Sequence, residues 1–480
     1  MAQSVLQPNT EWTARFAHIS WVQRWNSLLQ SPLFVVLVSL LTVIGNLFGL
    51  ELAAYTVLVL LGIGVFLFGR DLLPVMSIVV SCYIMPGVHN NPGRSETSIF
   101  YPQNGGIYIL ILAGLAVACL IYRLVRDQEL GGKAFLKRPR KLLPGMLVLG
   151  AGYLLSGAFS GRYFENGIYN LAFAIVQFLA VFLMYWIFSG AVRWDRVRSD
   201  YLAWVGLGAG LTVCCQVIGV YLANHVITDK TIHTGLIATG WGNANNMGCM
   251  IAMMIPFAVD LSHRSKYGWV YSTVGVLMIG FTCFTCSRTS ILAAVLIYIV
   301  AMLFALRDPR RRKDLLIANG VLLALLMLLL IFHGPMSQLF TELIDRGFNP
   351  RLRDVIYVDG MRVFRENPVF GESFYPSVDS IYQFSKVEAM QTILPARWHN
   401  TVIQLLASGG VVSFACYAVH RVQTAKLFWK KRKSDGIYIS LSIAALLVMS
   451  LLDCHFFNVG PVLFYSMALA FLENVTFNNG

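Results

Sequence analysis

The sequence predicts an all-α polytopic transmembrane helix bundle with one long, structured outer loop, and three observations carry that expectation. Hydrophobic residues make up 57% of the 480 residues and charged residues 13%, against about 25% charged in soluble domains. Apolar runs of roughly 16 to 22 residues recur along the chain, and mean hydropathy is +0.64. Each run suits a helix that satisfies its own backbone in lipid. Basic residues are concentrated in the gaps between runs, so the net charge of +13 reads as a positive-inside bias and not as nucleic-acid binding.

Taken in order, residues 1–32 are polar or aromatic with scattered arginines. They lack a short apolar core with a cleavage site, and they read as a cytosolic amphipathic leader. About fourteen spans follow: 33–50, 52–69, 72–87, 106–122, 142–160, 170–189, 201–224, 244–261, 269–284, 289–306 and 315–333, then 401–418, 437–452 and 459–474. Twelve spans with one re-entrant pair is the alternative. Eleven spans thus occupy 33–333, an extracytoplasmic segment fills 334–400, and three spans occupy 401–480. Cys283 and Cys286 form a lone CxxC inside a predicted span, with no second pair and no nearby histidine. No metal or redox role is expected from them.

Charge orients the bundle. With the N-terminus inside, 26 of the 37 Lys and Arg fall in cytosolic segments and 11 outside. Every inner connection is then basic. Seven of the 11 outer ones lie in 334–400, a 67-residue connection too long for a passive link.

Within it, "RLRDVIYVDGMRVFRENP" reads as a helix ending before Pro368. At 100° per residue Arg351, Arg362 and Arg365 share one side, beside an apolar band of Leu352, Ile356 and Val363, while Arg353 points elsewhere. Such a helix suits either an interfacial position with headgroup-paired arginines or the capture of an anion. Arg288, in "SRTS" at an outer turn, either snorkels to lipid phosphate or holds a substrate phosphate. "GWGNANNMG", with Asn243 and Asn245, opens a span from outside, where helix-start N–H groups cap the helix and attract anions. "PARWHNTVIQLLASGG" places Arg397, His399 and Asn400 at the start of the twelfth span. Asn400 is a plausible N-cap, and His399 sits by the positive end of the helix dipole, which disfavours a second positive charge and suits a base. Asp453 and His455 lie at the outer end of the thirteenth span. Asp453 is placed to orient a histidine or pair an arginine, with topology alone to recommend it. No Walker loop, dinucleotide fingerprint, GxSxG elbow or HExxH motif is present, so neither nucleotide energy nor a cofactor is indicated.

The order "GWGNANNMG", "SRTS", "RLRDVIYVDGMRVFRENPVFGES", "RWHNTVIQLLASGGVVSFACY" over about residues 235–420 resembles the O-antigen ligase and polysaccharide polymerase family of membrane glycosyltransferases. The shared pattern is an arginine-bearing outer segment ending in a Pro-x-x-Gly turn, here Pro368 to Gly371, then His-Asn and a Leu-rich span with paired small residues. Ser408 stands where the family usually has an acidic residue before the glycine. The resemblance implies a GT-C-like bundle and a metal-independent, inverting transferase at the outer face of the cytoplasmic membrane. Its donor would be a polyprenyl-diphosphate-linked glycan and its acceptor a second glycan or a lipid anchor. Carried onto this chain, His399 would serve the acceptor hydroxyl. Arg288 and a loop-helix arginine, Arg351 or Arg353 with Arg362 nearby, would hold the diphosphate. Arg397, Asn400, Asn243 and Asn245 would support them. The competing class is a transporter or flippase for a lipid-linked glycan or small anion. Such proteins often carry inverted repeats, and no repeat is evident here.

Overall fold

A computed structural model describes residues 19–86, 104–127, 130–160, 168–223, 238–332, 353–374 and 397–477. Among these are seventeen α-helices. They are α1 (Ser20–Leu29), α2 (Pro32–Phe48), α3 (Glu51–Phe68), α4 (Val75–Ile84), α5 (Gly106–Arg126), α6 (Gly132–Lys137), α7 (Leu143–Leu154), α8 (Ile168–Ala191) and α9 (Tyr201–Ala223). After them come α10 (Ala244–Arg264), α11 (Gly268–Phe284), α12 (Arg288–Ala305), α13 (Pro309–Phe332), α14 (Arg353–Glu366), α15 (Thr401–Lys431), α16 (Gly436–Ser450) and α17 (Val459–Asn474). The chain is an all-α, multi-pass membrane protein. Seven of the described helices are long and apolar enough to cross a bilayer, and the pair α1–α2, bent by 75°, makes an eighth if counted as one span. Five further apolar helices have 10–17 residues. Among the described residues there is also a two-stranded hairpin, β1 (Ala238–Thr239) and β2 (Gly242–Asn243), which the sequence does not announce.

The bundle is built around α10. Every residue from Met247 to Ser262 is buried, as expected of a helix apolar on all sides, and α9, α11, α12 and α16 pack around it. Small residues let the backbones approach: a Cβ on Gly248 would lie 2.3 Å from Ser290 Oγ of α12. The 21 residues of α10 span about 30 Å, so its two ends mark two faces of the bundle. At the Arg264 end, Arg264 bonds Asp260 at 2.6 Å, Asp435 at 3.2 Å and Ser199 at 2.6 Å. Arg123 and Asp127 of the α5 end form a fully buried pair at 2.9 Å. The other end, at Ala244, carries the polar cluster described next.

Candidate active site

Three chain segments meet at the Ala244 end of α10. Asn400 caps α15, its Oδ1 accepting from the N–H groups of Val402 at 2.8 Å and Ile403 at 3.1 Å, and its amide donates to Leu451 O at 2.7 Å. This fixes the preceding residue: His399 adopts φ +44°, a left-handed conformation that costs a non-glycine residue about 1–3 kcal/mol and tends to persist at functional sites. Tyr357 of α14 donates to its carbonyl at 3.2 Å. The imidazole Nδ1 lies 3.2 Å from Asp453 Oδ1, with the His399 side chain 36% exposed and that of Asp453 12%. Asp453 also accepts from Cys454 N–H at 2.7 Å and, through Oδ2, from Asn245 Nδ2 at 2.8 Å. Burial opposes its charge. The bond from His399, the nearby imidazoles and the Cys454 N–H outweigh that and hold its carboxyl well below the usual carboxylate range. Asp453 is therefore an ionised, fixed partner for the ring.

His455, two residues on, is fully buried, and neither ring nitrogen has a hydrogen-bond partner among the described residues. Burial pushes its proton affinity down, against the pull of Asp453. It lies beneath the site.

How α14 sits decides which arginines approach. Val363 and the half-buried Ile356 pack with the fully buried Trp398 and Ala407 and with the half-buried Ile403. Gly360 does not break the helix. It makes room, since a Cβ there would lie 2.7 Å from Trp398 Cδ1. Past α14, Gly371 (φ +67°) and Gly410 (φ +61°) lock the Pro368–Gly371 turn against a break inside α15. Val411 N–H donates to Pro368 O at 2.9 Å, and a Cβ on Gly371 would lie 2.2 Å from the Ser408 carbonyl carbon. Both positions need glycine. Ser408 itself is buried, its hydroxyl accepting from Gln404 Nε2 at 2.9 Å.

The predicted site residues separate into groups. His399, Asn400 and Asn245 come together, joined by Asp453. Arg397 donates to Asn458 Oδ1, and Asn458 Nδ2 donates to Asn246 Oδ1 at 2.6 Å. Asn243 is the N-cap of α10, accepting from Asn246 N–H at 3.1 Å. Arg353 lies on the flank of the docked band, close enough to Tyr357 and His455 to act on both electrostatically. Arg362 lies on the opposite side of α14, half exposed and 3.6 Å from Glu366, away from this cluster. Arg288 starts α12, two residues before the Ser290–Gly248 contact, so it belongs to the same end of the bundle. Cys286, just before it, has φ +52°. Arg351 lies outside the described residues.

These residues can be set against known families. Residues 273–418 match the O-antigen ligase family model. The match supports, for this membrane protein, a general role in ligating or polymerising glycans, and it covers Arg288, α14, Trp398, His399 and Asn400. Among curated proteins none matches the chain. Asp453 and Asn245, which hold the histidine of the O-antigen ligase stretch, come from outside that stretch. From the sequence Asp453 stands below His399, because topology alone recommends it; the two residues are 54 positions apart.

Proposed function

We propose that this protein polymerises or ligates a polyprenyl-diphosphate-linked glycan at the outer face of the cytoplasmic membrane, with both termini cytosolic. His399 is the base. Asp453 occupies Nδ1 and leaves Nε2 for the acceptor hydroxyl. As that oxygen attacks the anomeric carbon, its proton passes to Nε2, the new C–O bond forms, and the bond from carbon to the diphosphate oxygen breaks with its electron pair. Direct displacement inverts the anomeric centre. Arg288 and Arg353 face the leaving diphosphate with guanidinium charge and Arg397 supports them from beside Asn458, so the growing negative charge is stabilised without a metal. The contact between His399, which lies in the O-antigen ligase stretch, and Asp453, which lies beyond it, carries this reading, because a flippase has no use for an oriented base.

The test is glycan transfer in vesicles containing the purified chain. His399→Ala is expected to lose roughly 10²–10⁴-fold in rate while still inserting and binding lipid-linked donor. Normal transfer by that variant would refute the assignment. Running the wild type with donor alone separates polymerisation, which needs no second acceptor, from ligation, which does.

A further inference from the structure

Beside the catalytic cluster lies a pair of aromatic rings that the proposed chemistry does not use. Trp241 occupies the turn between β1 and β2, and Tyr83 stands near the end of α4. Their ring centroids are 5.8 Å apart at 62°, and both residues are half-buried. The pair is held in place from below. Gln216 of α9 is fully buried, a costly position for an amide inside a membrane bundle. Its Oε1 accepts from Trp241 Nε1 at 2.9 Å and its Nε2 donates to Ile84 O at 2.6 Å. Both ends of the amide thus fix the aromatic pair. Tyr83 also lies against the start of α17, where a Cβ on Gly460 would be 2.0 Å from its ring. Two residues before Gly460, Asn458 links Arg397 to Asn246, and Arg397 lies within electrostatic reach of Tyr83.

A rigid aromatic platform edged by amides and a guanidinium matches a sugar ring, which offers an apolar C–H face and a rim of hydroxyls. We propose that Trp241 and Tyr83, with Asn246, Asn458 and Arg397 at their edge, bind a pyranose ring of the glycan next to the reacting bond. This rests on the transferase reading above and adds to it the place where the sugar lies.

The test uses the full chain in vesicles, with the lipid-free repeat-unit oligosaccharide as binding probe. Trp241→Leu keeps apolar volume under the hairpin but removes the aromatic face. It is expected to weaken oligosaccharide binding and to raise the apparent KM for one glycan substrate, each roughly tenfold, the worth of one good aromatic contact. Trp241→Phe should recover most of both. Varying the donor at saturating acceptor, and then the reverse, shows which glycan occupies the platform. Unchanged binding and KM with a lowered Tm would overturn the proposal and leave Trp241 a packing residue. If Trp241→Leu does not insert, Tyr83→Leu is judged by the same measurements. Transfer that survives His399→Ala would sink the enzyme reading instead, and oligosaccharide binding would still decide the platform.

Discussion

Replacing Asp453 by Asn tests whether the carboxylate works as a charge or only as a shape. The amide oxygen can take the Oδ1 position and accept from Cys454 N–H and His399 Nδ1. The new NH₂ then faces Asn245, whose amide turns over to offer its oxygen. The three contacts at 3.2, 2.7 and 2.8 Å therefore survive, and what is lost is attraction to the imidazolium that the proposed proton transfer to His399 would form. Two unit charges about 4 Å apart interact by about 4 kcal/mol at an effective dielectric of about 20. The His399 side chain is 36% exposed, and water screening brings this towards about 2 kcal/mol. The expected fall in kcat is thus roughly 30-fold to 1,000-fold, with KM little changed. The Asp453 carboxyl is held well below the usual range, so it is ionised throughout the assay range. The same attraction also favours the imidazolium before reaction, so the ratio of wild-type to variant rate should be largest at alkaline pH and shrink towards acid pH. Transfer in vesicles at several pH values, with insertion and Tm checked, measures this. A variant within about threefold of wild type would show that the carboxylate does not stabilise the reacting histidine.

Two further predictions concern charges elsewhere. Arg353→Ala should raise the apparent KM for donor at least roughly tenfold, the scale of a charge-assisted hydrogen bond. Arg362→Ala, whose side chain is half exposed and paired with Glu366, should leave it within about twofold; equal effects would refute the placement of α14. At the opposite end of the bundle, Asp71 is buried, and burial raises its carboxyl to about 6 despite the Leu73 N–H and the arginines nearby. Its folded value lies above the unfolded one, so the stability it contributes is complete below the ordinary carboxylate range and is lost as pH rises through about 6. Asp71→Asn mimics the protonated form and can still accept from Leu73 N–H. Its Tm should match wild type near pH 4 and exceed it by a few degrees near pH 8, and a gap that shrinks with rising pH would contradict the reading.

What could be read from the sequence follows from the range of each interaction. Apolar runs are local, so the apolar helices could be read from the sequence before any contact was known. The N-cap role of Asn400 is equally local, since it needs only the two residues that follow. The partner of His399 is not local: Asn245, His399 and Asp453 meet only because α10, α15 and the turn after α16 share one end of the bundle, and no spacing rule encodes that. The α14 arginines fall between these cases. Helical periodicity puts Arg353 on a different side from Arg362, but it does not say which side faces the histidine. That choice is made by the apolar band of Ile356 and Val363, which docks on Trp398 because Gly360 clears the space. Once the band is docked, Arg353 and Tyr357 flank it towards His399, and Arg362 is turned away. The tryptophan beside the histidine is thus a determinant of which guanidinium can reach the site, although it bears no chemistry itself. Of the residues in "RWHN", its indole acts through packing alone, a role visible only when its neighbours are known.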